Sequence, residues 1–273
     1  MSRAAAAGAL CLLASLAGAA EPGAPSTREL ERINWMELRE WVPARMDTVL
    51  LPLGTLEPHG VTANGADILA PTAIAREIAP RVNAFVAPAV PYGFTGSLDA
   101  YPGSFTVPED VYRAYIRAVL QGLARNRFRN LILLNGHGGG QTAVLGAVAQ
   151  EVGREAGVRT LVVNWWSYCA DVTQEVFGED GGHAGDNETA FVMAIDPTLV
   201  HRERYRPELA TAYPAPNTWT AYPFPSSIGL YKEGQGYPRF DSARARVYYQ
   251  KVNDKVARLV QETIAKWELI DKR

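Results

Sequence analysis

Three of the four histidines in this chain stand beside glycine, each near a carboxylate or after an apolar run. They are His59 in PHG, His137 in NGHGGG and His183 in GHAG. Glycine removes steric cover and permits unusual backbone dihedrals, which suits a loop that must approach a ligand closely. Taken alone, the His137 loop could equally be a glycine-rich turn after a strand. The repeated pattern predicts one site assembled from three loops.

Carboxylates accompany these histidines. Glu57 lies two residues before His59, so both can face one side of an extended loop, and Asp67 follows nearby. Asp186 and Glu188 repeat the two-residue spacing after His183. Imidazole and carboxylate donors without thiolate suit zinc, manganese or ferrous iron better than calcium. These donors exceed the needs of one zinc, so the pattern predicts two metals about 3.5 Å apart with a shared carboxylate.

Alternating strands and helices are expected to position these loops. The predicted strands are 48–52, 84–90, 131–134 and 160–164, and the predicted helices are 34–42, 71–78, 109–124, 142–155 and 243–267. This order indicates an α/β fold: a single domain with a mostly parallel sheet and helices on both faces. Ligands in such sheets bind beyond the carboxyl ends of the strands. His59 and His137 lie in such loops, and His183 lies in a longer one.

The first twenty residues are typical of a secretory signal, with Arg3, an apolar run over 4–16 and small residues over 17–20. We expect an exported, periplasmic or secreted domain of residues 21–273 with no membrane attachment after cleavage. Cys11 would leave with the signal, and Cys169 alone could form no internal disulfide. The net charge of -2 and the absence of a basic cluster argue against a nucleic-acid partner.

Four segments resemble, in this order and spacing, the motifs of the creatininase (creatinine amidohydrolase) family. They are LGTLEPHG over 53–60, YPGS over 101–104, NGHGG over 135–139 and HAGDNET over 183–189. The resemblance implies a creatininase-like α/β/α fold with a binuclear metal centre. It also implies hydrolysis of a carbon-nitrogen bond in a small, often cyclic, amide, and a homo-oligomer, which is common in the family.

Carried over position by position, the resemblance assigns five metal ligands. Glu57 and His137 would hold one divalent metal. His59 and Glu188 would hold the other, and Asp67 would bridge them. Zinc is the expected metal, with manganese or iron as alternatives.

The resemblance makes His183 the catalytic proton-transfer residue. Two cations lower the pKa of a water molecule that they share, and His183 would pass a proton to the leaving nitrogen of the amide. The partner implied is therefore a small-molecule amide.

Three departures from the family pattern argue against creatinine as the substrate. Gly139 stands where creatininase has a glutamate, so one ligand must come from elsewhere; Glu188 is our choice, with Asp186 in reserve. Val61 and Thr62 replace a common proline-histidine pair, and the segment before Asp67 is about one residue short. Export argues the same way, because creatinine degradation in the family is intracellular.

Simpler structural roles remain open for several residues. Asp67 could cap the following helix, and Asp186 could be an ordinary loop residue. Trp165 and Trp166 could close the core, or one ring could line the substrate pocket. The aromatic and proline-rich segment 213–224 could be an ordered surface loop, a lid or a subunit contact.

Two other functions fit the same residues. The first is a deformylase or a peptide or lactam hydrolase on the same scaffold, since one metal centre performs the same step on each. The second is an exported metal-binding protein without catalysis, which the presence of His183 disfavours.

Overall fold

The computed structural model describes residues 23–215 and 217–271. The predicted signal segment, residues 1–20, lies outside the described residues, so export stays a prediction. A parallel sheet in the order β2-β1-β3-β4 forms the centre of the domain. Its strands are β1 (Thr48–Leu53), β2 (Ala84–Val86), β3 (Asn130–Asn135) and β4 (Arg159–Asn164). In the described ranges no helix is long and apolar enough to cross a bilayer.

Helices follow most strands and cover the sheet. They are α1 (Trp35–Trp41), α2 (Ala66–Ile78), α3 (Glu109–Arg125), α4 (Gly139–Ala156), α5 (Trp165–Tyr168), α6 (Ala170–Phe177), α7 (Asp186–Ile195) and α8 (Ser242–Asp271). Short 3-10 turns lie at Gly96–Leu98, Pro197–Leu199, Arg202–Arg204 and Pro207–Leu209.

Each strand of the sheet contributes to two separate cores because alternate side chains point to opposite faces. In β1, Leu50 packs with α2, α6, α7 and α8, whereas Val49 and Leu51 pack with α1, α3 and α4. In β3, Ile132 and Leu131 divide in the same way. The layers are therefore helix, sheet and helix, which confirms the predicted α/β class.

A second, small sheet lies after α6. It consists of β5 (Gly182–His183), β6 (Ala210–Ala212) and β7 (Ile228–Leu230), in the order β5-β7-β6. β5 is antiparallel to β7, and β6 is parallel to it. Strands of two or three residues are too short to show a hydrophobic period, so the sequence did not predict this sheet. It places His183 on a strand rather than in a loop.

Two helices begin three or more residues earlier than predicted. α2 starts at Ala66 and carries Pro71 inside it, whereas we expected a start at Pro71. Proline breaks a helix chiefly because it has no N–H for the carbonyl four residues earlier, here that of Asp67. α4 starts at Gly139 rather than at residue 142, and Gly139 has the left-handed φ of 59° that favours glycine. The strand predicted over 84–90 ends at Val86.

The first turn of α2 lies directly against the ends of β1 and β3. A Cβ atom built on Gly54 would come within 2.2 Å of the Asp67 carbonyl oxygen, and one on Gly136 within 1.9 Å. Pro71 cannot donate a hydrogen bond to this oxygen, and only bare glycine backbone fits beside it. The two strand ends thus fix the position of Asp67.

This contact predicts opposite effects for two alanine substitutions. Gly136→Ala should lower the free energy of unfolding by about 1–3 kcal/mol, as overpacking does, because the new methyl group meets backbone. Gly146→Ala is the control, since Gly146 lies inside α4 with open space around it. It should raise the free energy of unfolding by about 0.5–1 kcal/mol. Urea unfolding measures both, and a Gly136→Ala protein as stable as the parent would contradict the packing described.

Candidate metal centre

Six residues predicted to form the site meet in one cluster beyond the carboxyl ends of β1 and β3. Two follow β1, one follows β3, one lies in the first turn of α2, one on β5 and one in the first turn of α7. They are Glu57, His59, His137, Asp67, His183 and Glu188. The cluster is largely closed to solvent, because every side chain in it is at most 11% exposed.

Asp67 lies at the centre of the cluster. Its Oδ1 is 3.0 Å from Nε2 of His59, and its Oδ2 is 2.9 Å from Nδ1 of His137. The alternative of a helix cap does not fit, since the cap position of α2 is Gly65 and no side chain caps it. One carboxylate therefore joins two imidazoles from different loops.

The remaining carboxylates divide between these two histidines. Glu57 Oε1 lies 3.1 Å from His137 Nδ1, and Glu188 Oε2 lies 3.4 Å from His59 Nε2. Two sets of possible ligands share Asp67, one with Glu57 and His137 and one with His59 and Glu188. Within each set the ligand atoms lie within 4.8 Å of one another. A third set joins Glu57, His59 and His183, so the assignment of ligands to each cation stays a prediction.

Backbone carbonyls hold the outer nitrogen of each imidazole. His59 Nδ1 donates to the Glu57 carbonyl at 3.1 Å, and His137 Nε2 donates to the Phe94 carbonyl at 2.9 Å. A carbonyl only accepts, so the outer nitrogen carries a proton, and the inner nitrogen faces the carboxylates, where it can offer a lone pair to a cation once its own proton has left. Histidines that bind metals are oriented in this way.

The donors in this cluster fit divalent cations. Glu57 Oε2 is buried and has no hydrogen-bond partner among the described residues. Such an oxygen is costly in a folded protein unless a water molecule or an ion satisfies it. Inner imidazole nitrogens and three carboxylates directed at one another are a donor set suited to zinc, manganese or iron.

Without a cation the cluster holds protons. Burial lowers the pKa of His59, but the charges of Asp67, Glu188 and Glu57 outweigh it and raise that pKa to about 10. The pKa of His137 is also raised well above its usual value, because nearby Glu57 and Asp67 outweigh the burial. Burial raises the pKa of Glu188 to about 7. A cation that binds here would displace these protons.

His183 differs electrostatically from the other two histidines. Burial and the charge of His59 lower its pKa, so its imidazole is neutral at neutral pH. Its Nε2 donates to the Pro58 carbonyl at 2.6 Å, which leaves a lone pair on Nδ1. Nδ1 lies 3.5 Å from Glu57 Oε1 and 4.0 Å from Glu188 Oε2. A neutral imidazole in this position can accept and return a proton.

The two carboxylates of the third loop have different surroundings. Glu188 Oε2 accepts a hydrogen bond from the Ala184 N–H at 2.7 Å and faces His59. Asp186 turns away, accepts from the Arg239 N–H at 2.8 Å and lies 3.5 Å from Arg239 Nε. Burial raises the pKa of Asp186 to about 6. Glu188 therefore lies in the cluster, whereas Asp186 holds the loop to the segment before α8.

A cavity of about 500 Å³ opens onto the cluster, and the paired tryptophans lie differently toward it. Trp166 lines the cavity. Trp165 is buried and packs against Phe191 with ring centroids 4.9 Å apart, so of the two rings predicted as possible pocket residues Trp166 alone lines the cavity. The cause is that β4 ends at Asn164 and continues directly as the helix α5, which turns the two neighbouring rings in different directions.

Several residues at the cavity were not predicted from the sequence. They include four aromatic residues, which are Phe94, Tyr213, Phe224 and Tyr231. The segment 213–224, expected as a surface loop with a lid or a subunit contact as alternatives, contributes two of these rings. It shows no regular period, and only its aromatic content could have marked it.

Comparison with known proteins finds named relatives of this chain. The creatinine amidohydrolase of Pseudomonas putida is 29% identical over 190 residues, which cover 63% of this chain and 73% of that protein. The mycofactocin precursor peptide peptidase of Mycobacterium ulcerans is 30% identical over 177 residues, which cover 60% of this chain and 64% of the peptidase. This chain thus spans less than two thirds of the peptidase.

A solved structure and a family model also match this chain. A solved structure described as creatininase Mn superposes with a TM-score of 0.73 at 24% identity, covering 87% of this chain and 98% of that one. This likeness shows a shared fold. Residues 31–260 match the sequence model of the family described as creatinine amidohydrolase. Because that match covers most of the length of this chain, the chain belongs to the creatininase family.

Proposed function

We propose that this protein is a hydrolase that uses two divalent cations to cleave a carbon-nitrogen bond of an amide other than creatinine. The observation that carries the proposal is the double contact of Asp67, whose two oxygens each meet a histidine from a different loop. A carboxylate placed in this way suits a bridge between two cations. Family membership supports the hydrolytic class.

The proposed ligands follow the two halves of the cluster. Glu57 and His137 would hold one cation. His59 and Glu188 would hold the other, with Asp67 common to both. Bound there, two cations supply Lewis acidity and lower the pKa of water toward neutrality. Zinc suits these donors best, with manganese or iron as alternatives.

His183 would carry the proton in this reaction. Its Nδ1 is free to take a proton and to return it to the leaving nitrogen. The Glu57 and Glu188 carboxylates, at 3.5 and 4.0 Å, would stabilise the cationic ring, and the Pro58 carbonyl would keep it oriented.

Gly139 supports a substrate other than creatinine. It lines the cavity, and a Cβ atom there would meet no neighbour within 4 Å, so space remains where creatininase has a glutamate. A peptide or lactam hydrolase, or a deformylase, is the alternative, and the mycobacterial relative named as a peptidase favours a peptide bond within that group. A binding protein without catalysis is disfavoured by the position of His183.

Export and assembly belong to the same proposal. The signal-like composition of residues 1–20 supports a periplasmic or secreted enzyme. Resemblance to the creatininase family supports a homo-oligomer.

The third loop allows a matched test of the metal site. Elemental analysis of the purified protein should find two divalent ions per chain. Glu188→Gln should retain about one, because it removes a ligand, whereas Asp186→Asn should retain both, because Asp186 faces Arg239. The opposite pattern would refute the assignment of Glu188.

A second test separates proton transfer from metal binding at His183. His183→Gln should keep both ions but lower kcat for a hydrolysed amide about 10²- to 10⁴-fold, the usual contribution of a positioned acid-base group. Chelation of the parent protein should also abolish turnover, and added zinc should restore it. If His183→Gln lost an ion, His183 would be a ligand; if it kept full turnover, it would have no role in proton transfer.

A further inference from the structure

The glycine run that presents His137 also makes room for aromatic rings. A Cβ atom on Gly138 would lie 3.6 Å from the Trp166 ring, and one on Gly140 would lie 2.7 Å from Cε2 of Phe94. Both rings line the cavity. Bare backbone at Gly140 is therefore needed to make room for Phe94, whereas Trp166 lies at ordinary contact distance from Gly138, and both aromatic side chains lie beside the metal cluster.

A second aromatic wall comes from the small sheet and the segment after β6. The Tyr213 ring stacks on Phe224 at 5.7 Å and 28°, and it lies 6.1 Å from Tyr231 at 32°. A Cβ atom on Gly229 would be 2.8 Å from Cζ of Tyr213, so this ring rests on β7. Gly229 pairs with His183 in the sheet, which brings the wall next to the proposed proton carrier.

Two of the three rings leave apolar surface uncovered, whereas Phe224 is buried and stacks on both Tyr213 and Trp219. Tyr213 is 39% exposed and Tyr231 is 47% exposed, although both line a concave cavity. Aromatic residues that served only to close a core would be buried, as Trp165 is at 1% exposed. Apolar surface left open in a cleft beside reactive groups is typical of a ligand site.

The charges and the size of the cavity narrow the ligand further. Among the described residues no lysine or arginine lines it, and its ionisable side chains near the metal cluster are Glu57, Asp67, Glu188, His137 and His183. An acidic group on the far end of a substrate would find no cationic side chain there. The volume of about 500 Å³ lies within the range of about 300–1,000 Å³ that holds drug-sized ligands.

We propose that the substrate is an amide without an acidic group that carries a planar aromatic ring, and that this ring packs against the exposed rings of Tyr213 and Tyr231, with Phe224 buried against Tyr213. This inference rests on the proposed function, since it concerns the same site. It adds the class of substrate. Tyr213 is the central ring of the wall and sets the preference for an aromatic group.

Binding to the zinc-loaded protein tests the inference with three matched amides. They are N-benzylacetamide, its saturated analogue N-(cyclohexylmethyl)acetamide, and the para-carboxylated benzyl compound. Isothermal titration should give a Kd about fivefold lower for the benzyl than for the cyclohexyl amide, the size expected of a stacked ring pair. The carboxylated compound should bind weakest.

Variants of the rings make the test specific. Tyr213→Leu and Tyr231→Leu should each bind the benzyl and cyclohexyl amides about equally. Tyr115→Leu should keep the parent preference, because Tyr115 is half exposed on α3 and does not line the cavity. Equal affinities in the parent protein, no binding of any of the three, or a preference that survives in both ring variants would overturn the inference.

Hydrolysis and metal content measured on the same samples distinguish the two proposals. Preference for the benzyl amide without cleavage of any amide in the presence of two zinc ions would overturn the hydrolase and support the aromatic site. Cleavage with no preference for the aromatic group would overturn the aromatic site and support the hydrolase.

Discussion

The structure depends on the placement of a single carboxylate, that of Asp67. The first turn of α2 places Asp67 over the ends of β1 and β3, where Gly54 and Gly136 leave room for the backbone carbonyl oxygen of Asp67. Both of its side-chain oxygens then meet imidazoles that belong to different loops. A shift of the first turn of α2 would move Asp67 away from His59 or from His137. The packing of this turn against the sheet and the arrangement of the cluster therefore depend on each other.

The cluster is also energetically unfavourable to bury. Three carboxylates and three imidazoles lie together with little exposure, and buried charges are destabilising unless they are paired. Protons shared among His59, His137 and Glu188 offset the cost in the metal-free protein. Cations would offset it in their place. The backbone carbonyls that orient each ring limit the freedom of the site and prepare it for binding.

Much of the fold and the cluster could be predicted because both leave local signals. Apolar runs such as 131–134 and helical spacing in 109–124 indicate which side chains are buried. A histidine two residues from a carboxylate indicates that both can lie on the same side of an extended segment. The start of α2 was predicted too late because proline is common in the first turn of a helix, and Pro71 was therefore taken to mark that turn. The small sheet and the wall around Tyr213 were missed because they depend on contacts between distant segments. Trp165 and Trp166 look alike in the sequence, and only the turn from β4 into α5 separates them.

The central claim is that Asp67 bridges two cations. Anomalous diffraction at the zinc absorption edge, from crystals of the zinc-loaded protein, tests it most directly. We expect two anomalous peaks per chain, one beside each side-chain oxygen of Asp67, with Glu57 and His137 at one and His59 and Glu188 at the other. A single peak, or peaks that do not contact Asp67, would contradict it.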